Sequence, residues 1–133
     1  MTTKNLPRHA ENLRRQIKSM IPESCDIKED QPQLATVLSE DSEGNKEYVG
    51  ELLGKRVSAL VQQLPIGAGW GWTLVYFRKS RGVMNVLKDM YLIPLSGGAT
   101  ITPGGSLEEG TYTHIEDEPV LSPDTAVIFI ARP

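Results

Sequence analysis

The most specific chemical spacing in the chain is His114-x-Glu116-x-Glu118. In an extended strand, alternate side chains share a face and stand roughly 6.5–7 Å apart. One imidazole and two carboxylates aligned in this way could hold a divalent ion through nitrogen and oxygen ligands. The same spacing also describes the wet side of a strand whose Thr113 and Ile115 face inward and which runs into a Glu-Asp-Glu turn before Pro119. The chain has two histidines and one cysteine. A zinc site of four nitrogen and sulfur ligands therefore cannot be built. No other cofactor is expected. Cys25 can form no internal disulfide, and Glu23 and Asp26 beside it disfavour the thiolate.

Two loops come close to ion-binding patterns and miss. Gly50-Glu-Leu-Leu-Gly54-Lys55-Arg56 is one residue short of a phosphate-binding loop, and Arg56 stands where the hydroxyl for magnesium belongs. Asp41-x-Glu43-Gly44-Asn45 has the character of a calcium loop. It lacks a first-position Asp, and the closing bidentate Glu would fall on Gly50.

Trp70, Trp72, Tyr76 and Phe77 lie beside Arg78, Lys79 and Arg81. Aromatic faces stack on bases while cations follow phosphates, so this segment is a candidate surface for single-stranded nucleic acid. Gly69-Trp70-Gly71-Trp72 resembles the aromatic strand of an RNA-recognition motif. It departs from that pattern at Ala68, Thr73 and Val75. The competing reading is that the tryptophans fill the core or anchor a protein interface, where Trp, Tyr and Arg dominate the energetics.

These residues need elements to hold them. Leu6, Ala10, Leu13, Ile17 and Met20/Ile21 recur at helical steps and predict one amphipathic helix over residues 6–21, ended by Pro22. Its other faces carry Arg8, Arg14, Arg15 and Lys18. Leu13, Arg14, Arg15 and Lys18 thus join Trp70, Trp72, Arg78, Lys79 and Arg81 as candidate partner contacts. A loose leader is expected over residues 1–5 and an acidic loop over 23–33. A short strand is expected over 34–39. Val57, Leu60, Val61 and Leu64 predict a helix over 55–64; residues 46–53 extend it or form a strand against 34–39.

From Trp70 onward the pattern is β. Residues 70–79 read as a strand with both faces covered, with Trp70, Trp72, Leu74 and Tyr76 on one side. Ser80-Arg81-Gly82 predicts a hairpin returning from Val83. Residues 90–95, 99–102, 111–115 and 125–131 read as further strands. Pro94 marks an edge or a bulge, and 119–124 reads as a loop.

One domain is expected, as residues 1–22 (basic helix) and 23–133 (an α+β unit with a β-rich C-terminal half). The fold class is α+β, with two helices on a mainly antiparallel β sandwich or barrel. Hydrophobic residues make up 39% and charged residues 23%, typical of a globular chain. No run approaches the ~20 apolar residues of a membrane span. No secretory signal is read at the N-terminus, and the expected location is the cytoplasm or a virion. Charge falls in alternating blocks, basic over 1–22 and 52–95 and acidic over 23–51 and 96–133. Such blocks neutralise one another or steer association. The function expected is a non-enzymatic interaction or assembly subunit of a larger complex, such as a virion or phage component, with a protein partner or a homo-oligomer. The alternatives are a single-stranded nucleic-acid module and a small-ligand or metal-dependent β-barrel protein.

Overall fold

A computed structural model describes residues 2–24 and 35–132 of the chain. The apolar stripe of the first segment forms α1 (Arg8–Lys18), with Ala10, Leu13 and Ile17 buried. The second stripe forms α2 (Glu51–Gln62), with Leu53, Val57 and Leu60 buried. It begins four residues earlier than the periodicity suggests because residues 46–49 become β3 (Lys46–Val49), paired with β2 (Thr36–Glu40). Gly50, at φ 153°, makes the break between β3 and α2, a backbone conformation glycine tolerates and other residues rarely adopt.

Seven strands form one antiparallel sheet in the order β1 (Thr2–Asn5), β9 (Thr111–Ile115), β6 (Met90–Pro94), β11 (Thr125–Ala131), β4 (Gly71–Phe77), β3, β2. Four short strands form a second sheet in the order β5 (Arg81–Gly82), β10 (Val120–Leu121), β7 (Ala99–Thr102), β8 (Gly105–Leu107). The fold is α+β with two antiparallel sheets. Among the described residues each order is linear with two ends, so neither sheet closes into a barrel.

Strand β11 shows how the layers divide. Ala126, Ile128 and Ile130 share a face and join the cluster built with Leu13, Ile17, Leu53, Val57 and Leu60 of the helices. Val127 and Phe129, on the other face, join Ile101, Leu107 and Leu121 of the small sheet. A strand covered on both faces reads as continuous apolar sequence, as Ala126 to Ala131 does.

Three expectations are corrected. Residues 2–5 are a strand rather than a loose leader: β1 pairs with β9 from Thr2↔His114 to Asn5↔Thr111, which gives the free edge of β9 its backbone partners. Val83 does not return beside β4, because β3 and β11 already occupy both edges of β4. The chain instead crosses to the small sheet, where Arg81 and Gly82 pair with Leu121 and Val120. The segment read as a loop over 119–124 therefore contains β10. Pro94 has a strand neighbour on one side only, since the β6–β9 ladder stops at Leu92, and this is where a residue without an N–H is tolerated.

Candidate functional site

Where the chain crosses between sheets, it exposes a cluster of large apolar side chains. Met84 is 74% exposed, Val86 76% and Leu87 58%. Val120, opposite Gly82 in the ladder, is 43% exposed. Single exposed apolar residues are ordinary; several gathered at one place mark an interaction surface. The loop that carries them is pinned from inside. Asn85 is buried, and its amide donates to the main-chain oxygens of Ile115 at 3.2 Å and Asp117 at 3.0 Å. Its side-chain oxygen accepts from the Asp89 amide at 3.1 Å. The Val83 amide donates to the Pro119 carbonyl at 2.8 Å.

Met84 also borders a groove of about 740 Å³ on the sheet face turned away from the helices. Val75, Phe77, Met90, Phe129 and Ala131 supply its apolar lining. Phe77 and Phe129 meet edge to face, with centroids 5.9 Å apart. Asp41, Lys46, Glu47, Arg81, Glu118 and Arg132 also border it, with the charged ends of Lys46 and Arg132 turned to Glu23 and Asp89. Asp41 closes its own turn: it accepts from the amides of Glu43 at 2.9 Å and Asn45 at 3.0 Å. The Asn45 main-chain hydrogen bond foremost, then the other donors and Arg81, hold its carboxyl below the usual range.

A second cluster forms on the helix-side face near β1. His114 Nε2 lies 2.7 Å from Asp89 Oδ1, and Arg132 donates to the other carboxylate oxygen at 2.8 Å. The Arg132 guanidinium stands 5.2 Å from the centre of the Trp70 ring. Tyr91 meets Trp70, Tyr112 and His114 at centroid distances of 5.6, 6.0 and 4.9 Å. Lys4, Tyr91, Tyr112 and His114 border a smaller cavity of about 350 Å³.

The proposed metal trio is not brought together. Strand β9 ends at Ile115, so Glu116 and Glu118 lie beyond it and are exposed, and Glu118 faces the groove. Among the described residues, no group of three or more His, Cys, Asp and Glu side chains is arranged to hold a metal ion. Cys25 lies outside the described residues.

The candidate partner contacts also disperse. Leu13 is in the core, and Arg14 is only 4% exposed. Arg14 pairs with Glu11 at 2.6 Å and Glu109 at 3.0 Å, while Arg15 reaches Glu11 and Lys18 reaches Glu109. Trp72 lies half-buried on the helix side, with Gly54 of α2 against its ring. Trp70 belongs to the second cluster. Arg78 lies against Gly44, Lys79 is exposed, and Arg81 pairs with Asp41 at 3.2 Å. With Phe77 buried and Trp72 beneath α2, the aromatics and cations of this segment do not form one stacking strip. The near-miss phosphate loop is helical from Glu51 onward, so it cannot wrap a phosphate.

The Met84 loop was legible only as a return strand. The signal available was the lone polar Asn85 inside the apolar run from Val83 to Leu87. No helix among the described residues is long and apolar enough to cross a membrane. The chain matches no family model, no curated protein and no solved structure.

Proposed function

We propose that the protein is a non-enzymatic interaction subunit that grips a separate protein through the Met84 loop and the groove beside it. The observation that carries this reading is the outward set Met84, Val86 and Leu87 on a loop fixed by buried Asn85. A preorganised apolar anchor binds at lower entropic cost than one that must be ordered on contact. The two sheets, facing across the Phe129 cluster as the halves of a sandwich, supply the stiff base for it. Membership in a larger assembly follows from the same reading, because an anchor of this kind has value only when covered.

The test pans the full chain against a displayed random-peptide library. Binders that the free protein competes away, and that lose affinity by at least about tenfold for Met84→Ser/Val86→Ser/Leu87→Ser, are the expected result. Binders indifferent to that triple change, or none at all, refute the role. Light scattering gives the remaining arm: a dimer that the triple change splits would assign the loop to a second copy of the chain instead.

A further inference from the structure

We infer that the segment seated in the groove is apolar and carries lysine or arginine. This rests on the interaction role proposed above and names the chemistry of the partner. The cations bordering the groove are already neutralised from within the protein. Lys46 pairs with Glu23 at 2.9 Å, Arg81 with Asp41 at 3.2 Å, and Arg132 with Asp89 at 2.8 Å. Asp41 is committed to Arg81 and to its own turn. Glu47 and Glu118 remain, and neither has an ion-pair partner among the described residues.

The groove therefore presents an apolar floor with two uncompensated carboxylates. Covering it with an acidic or phosphate-bearing chain would bring like charges together while stripping their water. Covering it with an apolar segment bearing a cation turns the same desolvation into a gain, since attraction strengthens as the local dielectric falls. The size of the groove, about 740 Å³, lies within the range of roughly 300–1,000 Å³ typical of ligand sites. Complementary charge of this kind selects partners more than it adds raw affinity.

The experiment uses fluorescence anisotropy on the full chain with four labelled probes: alternating leucine–lysine, leucine–serine and leucine–glutamate peptides, and oligouridylate. The leucine–lysine peptide is expected to bind about tenfold tighter than leucine–serine, and the two anionic probes to bind least. Glu47→Gln with Glu118→Gln removes that preference. Glu51→Gln with Glu108→Gln, an equal charge change away from the groove, preserves it. Equal binding of the lysine and serine peptides, both sensitive to Met84→Ser/Val86→Ser/Leu87→Ser, overturns the charge selection and leaves the docking role standing. Equal losses in the two glutamine pairs overturn it as well, because overall charge would then be the cause. Binding insensitive to the Met84 loop removes both readings, and preferred binding of oligouridylate assigns the groove to nucleic acid.

Discussion

The side-chain amide of Asn85 donates to the main-chain oxygen of Ile115 at 3.2 Å, across 30 residues of sequence. That bond ties the exposed apolar loop to the end of β9. Asn85→Ala would leave the Ile115 and Asp117 oxygens and the Asp89 amide without this partner. A loss of about 2–3 kcal/mol is expected in urea unfolding, because orphaned buried polar groups cost their full desolvation. Met84→Ser, at a side chain standing in water, should change stability by no more than about 0.5 kcal/mol. Peptide binding should fall in both variants. A stable Asn85→Ala protein that still binds would show that the loop holds its shape without the amide.

Arg14 is a charge held inside the fold, between α1 and the Glu109 turn. Removing it as Arg14→Met keeps the apolar stem and deletes the cation that Glu11 and Glu109 share. The expected cost is about 3 kcal/mol, the scale for breaking a buried pair from one side. Arg15→Met, at a pair exposed to solvent, should cost no more than about 0.5 kcal/mol. Urea midpoints of the two variants check the contrast; equal losses would mean that burial of Arg14 has no energetic consequence.

How far the sequence could be read depended on periodicity. The stripe Ala10–Leu13–Ile17 and the unbroken run of β11 are properties of single elements, and both were legible as helix and strand. What depends on pairing across distance was not. Arg14 and Lys18 stand on the polar side of α1 by sequence; Glu11 is near enough to pair with Arg14, but Glu109, which binds both, lies far along the chain. Strand β1 has no apolar alternation, since all four of its residues are exposed, and it exists because β9 offers an edge. Asn85 falls inside the segment read as a returning strand, and its role as a pin was hidden because its partners are main-chain groups of Ile115, Asp117 and Asp89, which no side-chain pattern announces.

The His114 spacing leads to a prediction about metals. The imidazole Nε2 is already engaged by Asp89, and the two glutamates lie past the end of the strand. Added zinc, manganese or ferrous ion should leave the melting temperature within about 1 °C, because an ion at a hundredfold its Kd would contribute about 2.7 kcal/mol and shift it by several degrees. A rise of that size, abolished by His114→Gln, would restore the metal reading. Asp89→Asn gives an independent view of the same cluster: it weakens the hold on Arg132, and Trp70 emission should change as the guanidinium leaves the ring.

Stability should form a plateau in pH whose two limbs have separate owners. On the acid side, the hydrogen bond from Arg14 chiefly holds the Glu11 carboxyl below its usual value against the opposing effect of burial. Burial opposes the charge on Glu109, but Lys18 and Arg14 outweigh it, and Lys46 and Tyr48 do the same for Glu23. A depressed folded-state pKa gives stability that is complete above the unfolded value of 4.5 and lost as pH falls through the folded one. On the alkaline side, burial first and the Asp124 hydrogen bond second push the Tyr76 phenol up to about 12, and burial with Glu23 raises Tyr48 as well. Their contribution is complete below the unfolded value of 10.0 and disappears as pH climbs past it. Melting temperatures measured from acid to alkali should therefore be level between these limits. Glu11→Gln with Glu109→Gln should flatten the acid limb alone, and Tyr76→Phe should soften the alkaline limb alone. An acid limb of unchanged steepness in the glutamine variant would mean that the ion pairs around Arg14 do not govern acid unfolding.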